Sequence, residues 1–328
     1  MLILVTGGSG FVGSHLVEGL LAQGHQVRCL LRRTSDLSFI ASLPLEHVCG
    51  ALDDVESLER ACRGVDAVYH LAGATKAPDA AAYFRVNEQG TRSLLEACWR
   101  VNPGVRRFVY CSSIAAAGPA DSPTPIDETC PPHPVSHYGR SKLAGEEAVR
   151  AYAGRLPAVI LRPAPVYGPR ERDILTYFRL VQRGLKLLPG GGAQQVSLIH
   201  VSDLVQLALR VLEDGRVVGQ TYFACDGEAH DLEAVLDAMG AALGKRTLRV
   251  VIPVPLLEVF AALGGIWARL SKRSVLLNDQ KLQEMKQRYW LCDVSKARRE
   301  LGFVPQVDLQ TGMALTARWY REQGWLSG

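Results

Sequence analysis

The chain of 328 residues is predicted to be an α/β protein, a doubly wound parallel sheet carrying a smaller C-terminal part. Three observations lead there. Short β-rich runs alternate strictly with helical patterns through the first half, glycines follow the first run directly, and the alternation breaks down after residue 165. Strict alternation calls for parallel strands covered by helices on both faces, because each crossover must return over the sheet. Right-handed crossovers then make the sheet doubly wound.

Strands are expected at LILVT (2–6), QVRCLL (26–31), DAVYHL (66–71), RRFVYCSS (106–113) and AVILR (158–162). Apolar residues at helical spacing place helices at 14–23, 55–63, about 83–101 and about 137–153. The segment 118–136 holds six prolines and reads as a long surface loop, a kind of loop that is often functional. Glycines and a proline crowd 184–192. We therefore expect a nucleotide-binding core over 1–165. Residues 166–328 are expected to be mainly a substrate-binding part, with some segments returning to the core.

Composition narrows the classes. Apolar residues make up 48% and charged residues 21%, as suits a globular protein with a sizeable core. The net charge of +4 is small, and Lys and Arg are scattered among Asp and Glu, so no nucleic-acid partner is indicated. Eight cysteines lie far apart with no CxxC pair, which argues against a zinc site and a disulfide framework. Buried reduced thiols and a cytoplasmic location are expected, and no metal site. The N-terminal apolar stretch is too short for a signal peptide or a membrane span. Residues 251–270 are interrupted by Glu258, Arg269 and two prolines. Leu256, Phe260, Leu263, Trp267 and Leu270 recur there at helical spacing, so an amphipathic helix with one buried stripe is expected, without stable membrane insertion.

Gly7, Gly10 and Gly13 stand at spacing GxxGxxG, after the first strand and at the opening of a helix. Glycine lets the backbone turn sharply and approach a pyrophosphate, while the helix N-terminus offers free N–H groups. In this strand–turn–helix context the pattern indicates a dinucleotide site. An NAD site usually has Asp or Glu at the end of the second strand, and this chain has Leu31-Arg32-Arg33. Guanidinium groups suit a 2′-phosphate, so NADP is favoured, with NAD the alternative. The plainer reading of Arg32 and Arg33 is solvated surface charge.

Tyr138 and Lys142 are four apart on a predicted helix and so share one face. A phenol titrates near pH 10, and a neighbouring ammonium stabilises its anion, which lets the tyrosine act as general acid or base. Ser113 is expected to end a strand at the sheet edge that presents ligand-binding groups, where its hydroxyl can hydrogen-bond a carbonyl oxygen as charge develops. Alone, YxxxK means little; downstream of the glycine-rich turn and the serine it becomes specific.

In order along the chain, TGGSGFVGSH (6–15), HLAG (70–73), VNEQGT (86–91), YCSS (110–113), YGRSK (138–142), LRPAPVYGP (161–169) and IHVSD (199–203) resemble the motifs of the extended short-chain dehydrogenase/reductase family, also called the epimerase/dehydratase family. The resemblance covers nearly the whole chain and implies a Rossmann-type sheet and a small-molecule substrate. It implies that Gly7, Gly10, Phe11, Val12 and Gly13 bind pyrophosphate, and that Leu71, Ala72 and Gly73 line the cofactor. It puts Asn87 in the helix behind the active site, with Pro163 and Val166 beside the nicotinamide. By the same resemblance Tyr138 exchanges the proton, Lys142 also holds the nicotinamide ribose, and Ser113 polarises the carbonyl. A homodimer joined through the helices at about 83–101 and 137–153 is likewise implied.

Two departures stand out. Where many members have GDL, this chain has Gly50-Ala51-Leu52; Leu52 then lies at the cofactor without the usual aspartate, and Asp53 or Asp54 are the candidates to compensate. Ile114-Ala115 follow Ser113, where dehydratases resemble one another in an Asp-Glu pair, so a dehydratase is disfavoured. CLLRRTSDLSFI and the 251–270 segment look like the dihydroflavonol reductase and 3β-hydroxysteroid dehydrogenase branch, implying a ketone or secondary alcohol substrate. A redox-neutral nucleotide-sugar epimerase is the alternative, because GPRER (168–172) could bring Arg170 or Arg172 to a diphosphate. A non-catalytic nucleotide sensor is third, disfavoured by the intact Ser113, Tyr138 and Lys142. His133 and His137 read as exposed loop residues, His200 and Asp203 as a structural turn, and Tyr289 and Trp290 as pocket or core. Arg288 is a candidate anchor for an anionic substrate.

Overall fold

The computed structural model describes residues 1–190, 192–259 and 279–327. The central strands are β1 (Leu2–Thr6), β2 (Gln26–Leu31), β3 (Glu46–Cys49), β4 (Ala67–His70), β5 (Arg107–Cys111) and β6 (Ala158–Pro163). The C-terminal half adds β7 (Val166–Tyr167), β8 (Leu185–Pro189), β9 (Gln195–Val196), β10 (Ile199–His200), β11 (Thr221–Ala224), β12 (His230–Asp231), β13 (Leu248–Ile252) and β14 (Tyr289–Trp290). Seven strands form one parallel sheet in the order β11-β6-β5-β4-β1-β2-β3. The order runs outward in both directions from β1 and β4, as a doubly wound sheet requires.

The helices up to residue 243 are α1 (Phe11–Ala22), α2 (Val55–Cys62), α3 (Ala80–Phe84), α4 (Gly90–Val101), α5 (Ile114–Ala117), α6 (His137–Arg150), α7 (Asp173–Gln182), α8 (Val201–Glu213) and α9 (Leu232–Leu243), and further ones follow at Asp279–Met285, Ser295–Leu301 and Leu309–Glu322. One core layer packs Leu16, Val17 and Leu20 of α1 with Leu204, Leu207 and Val211 of α8 on one face of the sheet. The other packs Leu58, Leu94, Leu95 and Val149 of α2, α4 and α6 on the opposite face. A third cluster joins Phe178, Leu236, Met239, Met313 and Tyr320 in the C-terminal part.

The predicted strands all form, with ends within about two residues, the usual scatter. Two sheet strands carry too little pattern to be predicted. EHVC of β3 is short and mostly exposed at one edge, and β11 lies beyond residue 165 yet pairs with β6 at the other edge. Helix α1 begins at Phe11 rather than 14, because Gly10 takes the capping position. The predicted helix over about 83–101 is continuous from Ala80, with a π-helical turn at Arg85–Gln89 inside it. Strand β5 stops at Cys111, so Ser113 caps the short helix α5 instead of ending a strand. The predicted helix over 251–270 starts late: Val251 and Ile252 belong to β13, and helical backbone runs from 254. That shift exposes Leu256 and buries Leu257; Phe260, Leu263, Trp267, Arg269 and Leu270 lie outside the described residues.

One buried ion pair ties the helix of Tyr138 and Lys142 to the sheet. Glu146 of α6 accepts from Arg162 Nε at 2.8 Å and Nη2 at 2.7 Å, and from Ser112 Oγ at 2.6 Å. Arg162 stands on β6, and both charges are essentially sealed from water. Burial pushes the Glu146 carboxyl up, but Arg162, Ser112 and Arg150 together bring it below the ordinary glutamate value. Its folded value being depressed, the pair's stabilisation is complete above the unfolded glutamate range and is lost as pH falls through the folded value. Arg162→Met leaves a buried carboxylate whose one remaining counter-charge is the half-exposed Arg150, and should cost about 3 kcal/mol in a denaturant melt at neutral pH. Arg162→Met combined with Glu146→Leu should recover much of that loss.

Candidate active site

All the strands of the central sheet are parallel, so their C-terminal ends share one edge, and the candidate residues follow those ends. After β1 comes the glycine-rich turn. Gly7 has φ +75°, and a Cβ built there would lie 2.7 Å from Ala72 N and 2.8 Å from Leu71 C. A side chain at Gly7 would therefore prise the first turn away from the loop after β4. Gly10 then caps α1 without a side-chain hydrogen bond, leaving Phe11, Val12 and Gly13 at a helix N-terminus that no side chain closes. That cradle suits a pyrophosphate.

Arg32 and Arg33 stand exposed at the end of β2, where the Arg32 backbone N–H donates to Ser35 Oγ at 3.0 Å. Beyond β3, Leu52 packs against Gly90 at the start of α4. Asp54 caps α2 by accepting from Ser57 N at 3.2 Å, so its carboxylate is committed to the fold, whereas Asp53 is exposed.

The loop after β4 is held by a chain of hydrogen bonds that sequence reading missed. Ala72 N donates to Thr6 Oγ1 at 3.2 Å, and Thr6 Oγ1 meets His70 Nδ1 at 2.7 Å. His70 Nε2 meets Thr91 Oγ1 at 3.0 Å, and Thr91 Oγ1 donates to Asn87 O at 2.7 Å. Since Thr91 spends its proton on Asn87, His70 must donate from Nε2, and its Nδ1 accepts from Thr6. The ring is therefore neutral, and burial, reinforced by the Lys142 charge, takes its pKa down to about 3. Thr6 and His70 lie inside the matched motifs TGGSG and HLAG, which was the available signal.

Asn87 sits in the π-helical turn, almost wholly buried. Its Oδ1 accepts from Ala74 N at 2.7 Å, while Nδ2 donates to Ala74 O at 3.0 Å and to Ser141 Oγ at 2.9 Å. The same residue thus clasps the loop after β4 and the first turn of α6.

Helix α6 opens with Ser136 accepting from Gly139 N at 3.0 Å. Gly139, inside YGRSK, is obligatory for contact: a Cβ there would lie 2.2 Å from Ala115 O of α5. This close approach brings Tyr138 near Ser113, whose hydroxyl favours the phenolate. Ser113 Oγ also accepts from Ala115 N at 3.1 Å. Lys142 is buried, with Nζ donating to Cys111 O at 2.6 Å and standing 4.3 Å above the Tyr110 ring. Burial raises the Tyr138 phenol above its ordinary value, and Lys142 and Ser113 pull it down without overcoming burial. The ring of Tyr83 flanks Tyr138 at 6.1 Å between centroids. Pro163 ends β6, and Val166 in β7 pairs with Ile199.

The proline-rich loop is pinned at both ends, by Ala120 N to Tyr289 O at 2.8 Å and by His133 N to Ala117 O at 2.8 Å. Within it His133 is exposed, whereas His137 belongs to α6 and is half-buried. His200 caps α8, and Asp203 in the first turn of that helix accepts from Gln306 N and Val307 N at 3.1 and 3.0 Å, so both serve a strand-to-helix junction and not a loop turn. Trp290 donates to Glu284 O at 3.0 Å and packs on the core, and Arg288 lies over the Tyr289 ring. All eight cysteines are free. Among the described residues no helix is long and apolar enough to cross a membrane.

The family model of the NAD-dependent epimerase/dehydratase family matches residues 3–224. A ceramide reductase from Caulobacter vibrioides is 30% identical, covering 99% of this chain and 96% of its own. A 3β-hydroxysteroid dehydrogenase/Δ5→4-isomerase from Mycobacterium tuberculosis is 29% identical, covering 97% and 90%. Among solved structures, the UDP-glucose 4-epimerase of Thermotoga maritima superposes with a TM-score of 0.82 at 25% identity, covering 98% and 99%. With its doubly wound sheet, glycine-rich turn and ordered motifs, this chain belongs to the NAD-dependent epimerase/dehydratase family and is an NAD(P)-dependent enzyme of the extended short-chain dehydrogenase/reductase type.

Proposed function

We propose that the protein is a net reductase or dehydrogenase acting on a ketone or secondary alcohol of fairly apolar character, with NADP preferred over NAD. The observation that carries the reading is the meeting of Ser113, Tyr138 and Lys142 at the end of β5, beside the loop after β4. The ceramide reductase and hydroxysteroid dehydrogenase among its relatives support an apolar substrate. Arg32 and Arg33 support NADP, since their exposed guanidinium groups suit a 2′-phosphate.

The uncapped start of α1 and the tight, side-chain-free turn at Gly7 fit a dinucleotide pyrophosphate. When bound, the nicotinamide supplies the hydride that reduces a carbonyl carbon, or takes it up in the reverse direction. Ser113 holds the substrate oxygen and stabilises the charge that develops on it. Tyr138 delivers the phenolic proton to that oxygen as the carbonyl becomes a carbinol. Lys142, fixed by Cys111 O, keeps a positive charge near the phenolate left behind.

The likeness to a UDP-glucose 4-epimerase favours a second reading, a redox-neutral epimerase using the same three residues. It is weakened by the arginines of GPRER, because Arg170 pairs with Glu18 at 2.6 Å and Arg172 with Asp36 at 3.3 Å.

Tyr138→Phe should lower kcat by about two to four orders of magnitude in an assay of NADPH oxidation, with little effect on cofactor binding. Undiminished turnover would sink the assignment. Arg32→Ala should weaken NADPH by roughly tenfold in calorimetric titration and leave NADH nearly unchanged. Equal losses for both would remove the argument for NADP. Because Tyr138 is held above its ordinary value, reduction should persist at low and neutral pH and fall only above the usual tyrosine range. Lys142→Met removes a charge that lowers this pKa, so the alkaline limb of kcat/KM should move to higher pH.

A further inference from the structure

The turn between β7 and α7 carries an unexplained conformation. Among the described residues Arg170 is the one non-glycine residue with positive φ, at +74°. Left-handed backbone is costly for a residue with a side chain and persists only where surrounding contacts enforce it. Arg170 Nη1 donates to Ser14 Oγ at 3.0 Å, and Nη2 donates to Glu18 Oε1 at 2.6 Å. Its guanidinium also lies 5.2 Å from the centre of the Phe39 ring.

These contacts join separate loops. Ser14 and Glu18 belong to α1, behind the glycine-rich turn, and Phe39 belongs to the loop that leaves β2 through Arg32 and Arg33. The neighbours of Arg170 repeat the pattern. Pro169 O accepts from His15 Nε2 at 3.0 Å, and the His15 ring meets Phe11 edge-on at 5.9 Å. Arg172 pairs with Asp36 and lies over Trp325, which itself packs near Phe39. Asp173 pairs with Lys76 in the loop after β4. One short turn therefore grips α1, the loop after β2 and the loop after β4.

We infer that Arg170 is a cofactor-positioning residue: its guanidinium fixes the loop after β2 against α1, so that the adenosine and pyrophosphate ends of the dinucleotide meet a preformed site. The inference rests on the proposed seating of the dinucleotide along the glycine-rich turn. Arg170 touches no reacting atom, so its loss appears in cofactor affinity and cofactor KM rather than in kcat. The left-handed backbone is the cost of aiming one side chain at α1 and Phe39 together.

The test is calorimetric titration of the full chain with NADPH and with NADH, alongside thermal melting. R170A should raise both dissociation constants about tenfold, the range of a lost network contact. R170G frees the backbone and also removes the guanidinium, and should bind as weakly as R170A. E18A should reproduce part of the loss, and the R170A/E18A double variant should be little worse than R170A alone. If R170A does not fold, R170K, which keeps the charge but loses the forked geometry, should show a loss of the same kind. Binding within about twofold of the unsubstituted protein in folded R170A and R170G, with only the melting midpoint lowered, would overturn the inference and leave Arg170 a stability residue. An unsubstituted protein that binds neither dinucleotide would sink the cofactor reading itself, and this inference with it.

Discussion

The site depends on how closely two pieces of backbone can approach. Gly7 and the Leu71–Ala72 peptide lie so near each other that a single methyl group between them would occupy space already filled. That contact allows Ala72 N to reach Thr6 Oγ1, and from there the buried sequence of Thr6, His70, Thr91 and Asn87 runs without a missing donor or acceptor. A polar chain of this kind is stabilising only when every member is satisfied, since each unpaired group in a dry interior costs its lost hydration. The neutral His70 is the hinge of the arrangement: it passes hydrogen bonding from one strand end to the helix beyond it and introduces no second charge beside Lys142.

Asn87 carries the same order into helix α6. By holding both Ala74 and Ser141, it couples the loop after β4 to the turn between Tyr138 and Lys142. The π-helical turn gives the mechanical means, because widening the helix by one residue turns Asn87 inward without breaking the run from Ala80 to Val101. Glu146 and Arg162 then fix the far side of α6 to β5 and β6. The tyrosine is thus braced from both sides, as the proposed proton transfer would require.

What the sequence made legible was local. The GxxGxxG turn, the YxxxK spacing and the period of each core strand can each be read within a dozen residues, and the family resemblance ordered them into one site. What stayed hidden depends on contacts between distant segments. Strand β11 has four residues and no pattern of its own until β6 lies beside it. Arg170 read as a ligand for a diphosphate because nothing near position 170 indicates that Ser14 and Glu18 stand within its reach. YCSS continues the apolar run and so points to Ser113 as a strand end, whereas the strand stops two residues earlier and Ser113 caps α5. Likewise the spacing of Lys142 to Tyr138 speaks only of a pull downward on the phenol, whereas in the packed structure burial outweighs that pull.

The place of β11 also bears on how the chain comes off the ribosome. Strand β6 ends at Pro163, and the strand that covers its outer edge begins only at Thr221. A nascent chain that has emerged as far as β6 holds most of the sheet but presents an open row of N–H and C=O groups along that edge, a ready template for pairing with another chain. At ordinary rates of synthesis this window lasts for seconds, long on the scale of hairpin and helix formation. Helix α8 emerges before β11 and brings Leu204, Leu207 and Val211 to the face next to that edge, so the sheet's second face can be covered before the outer edge of β6 is paired. Strand β11 then takes over that edge with four residues in place of the six of β6, so the border left for pairing with another chain is shorter in the finished sheet than in the nascent one.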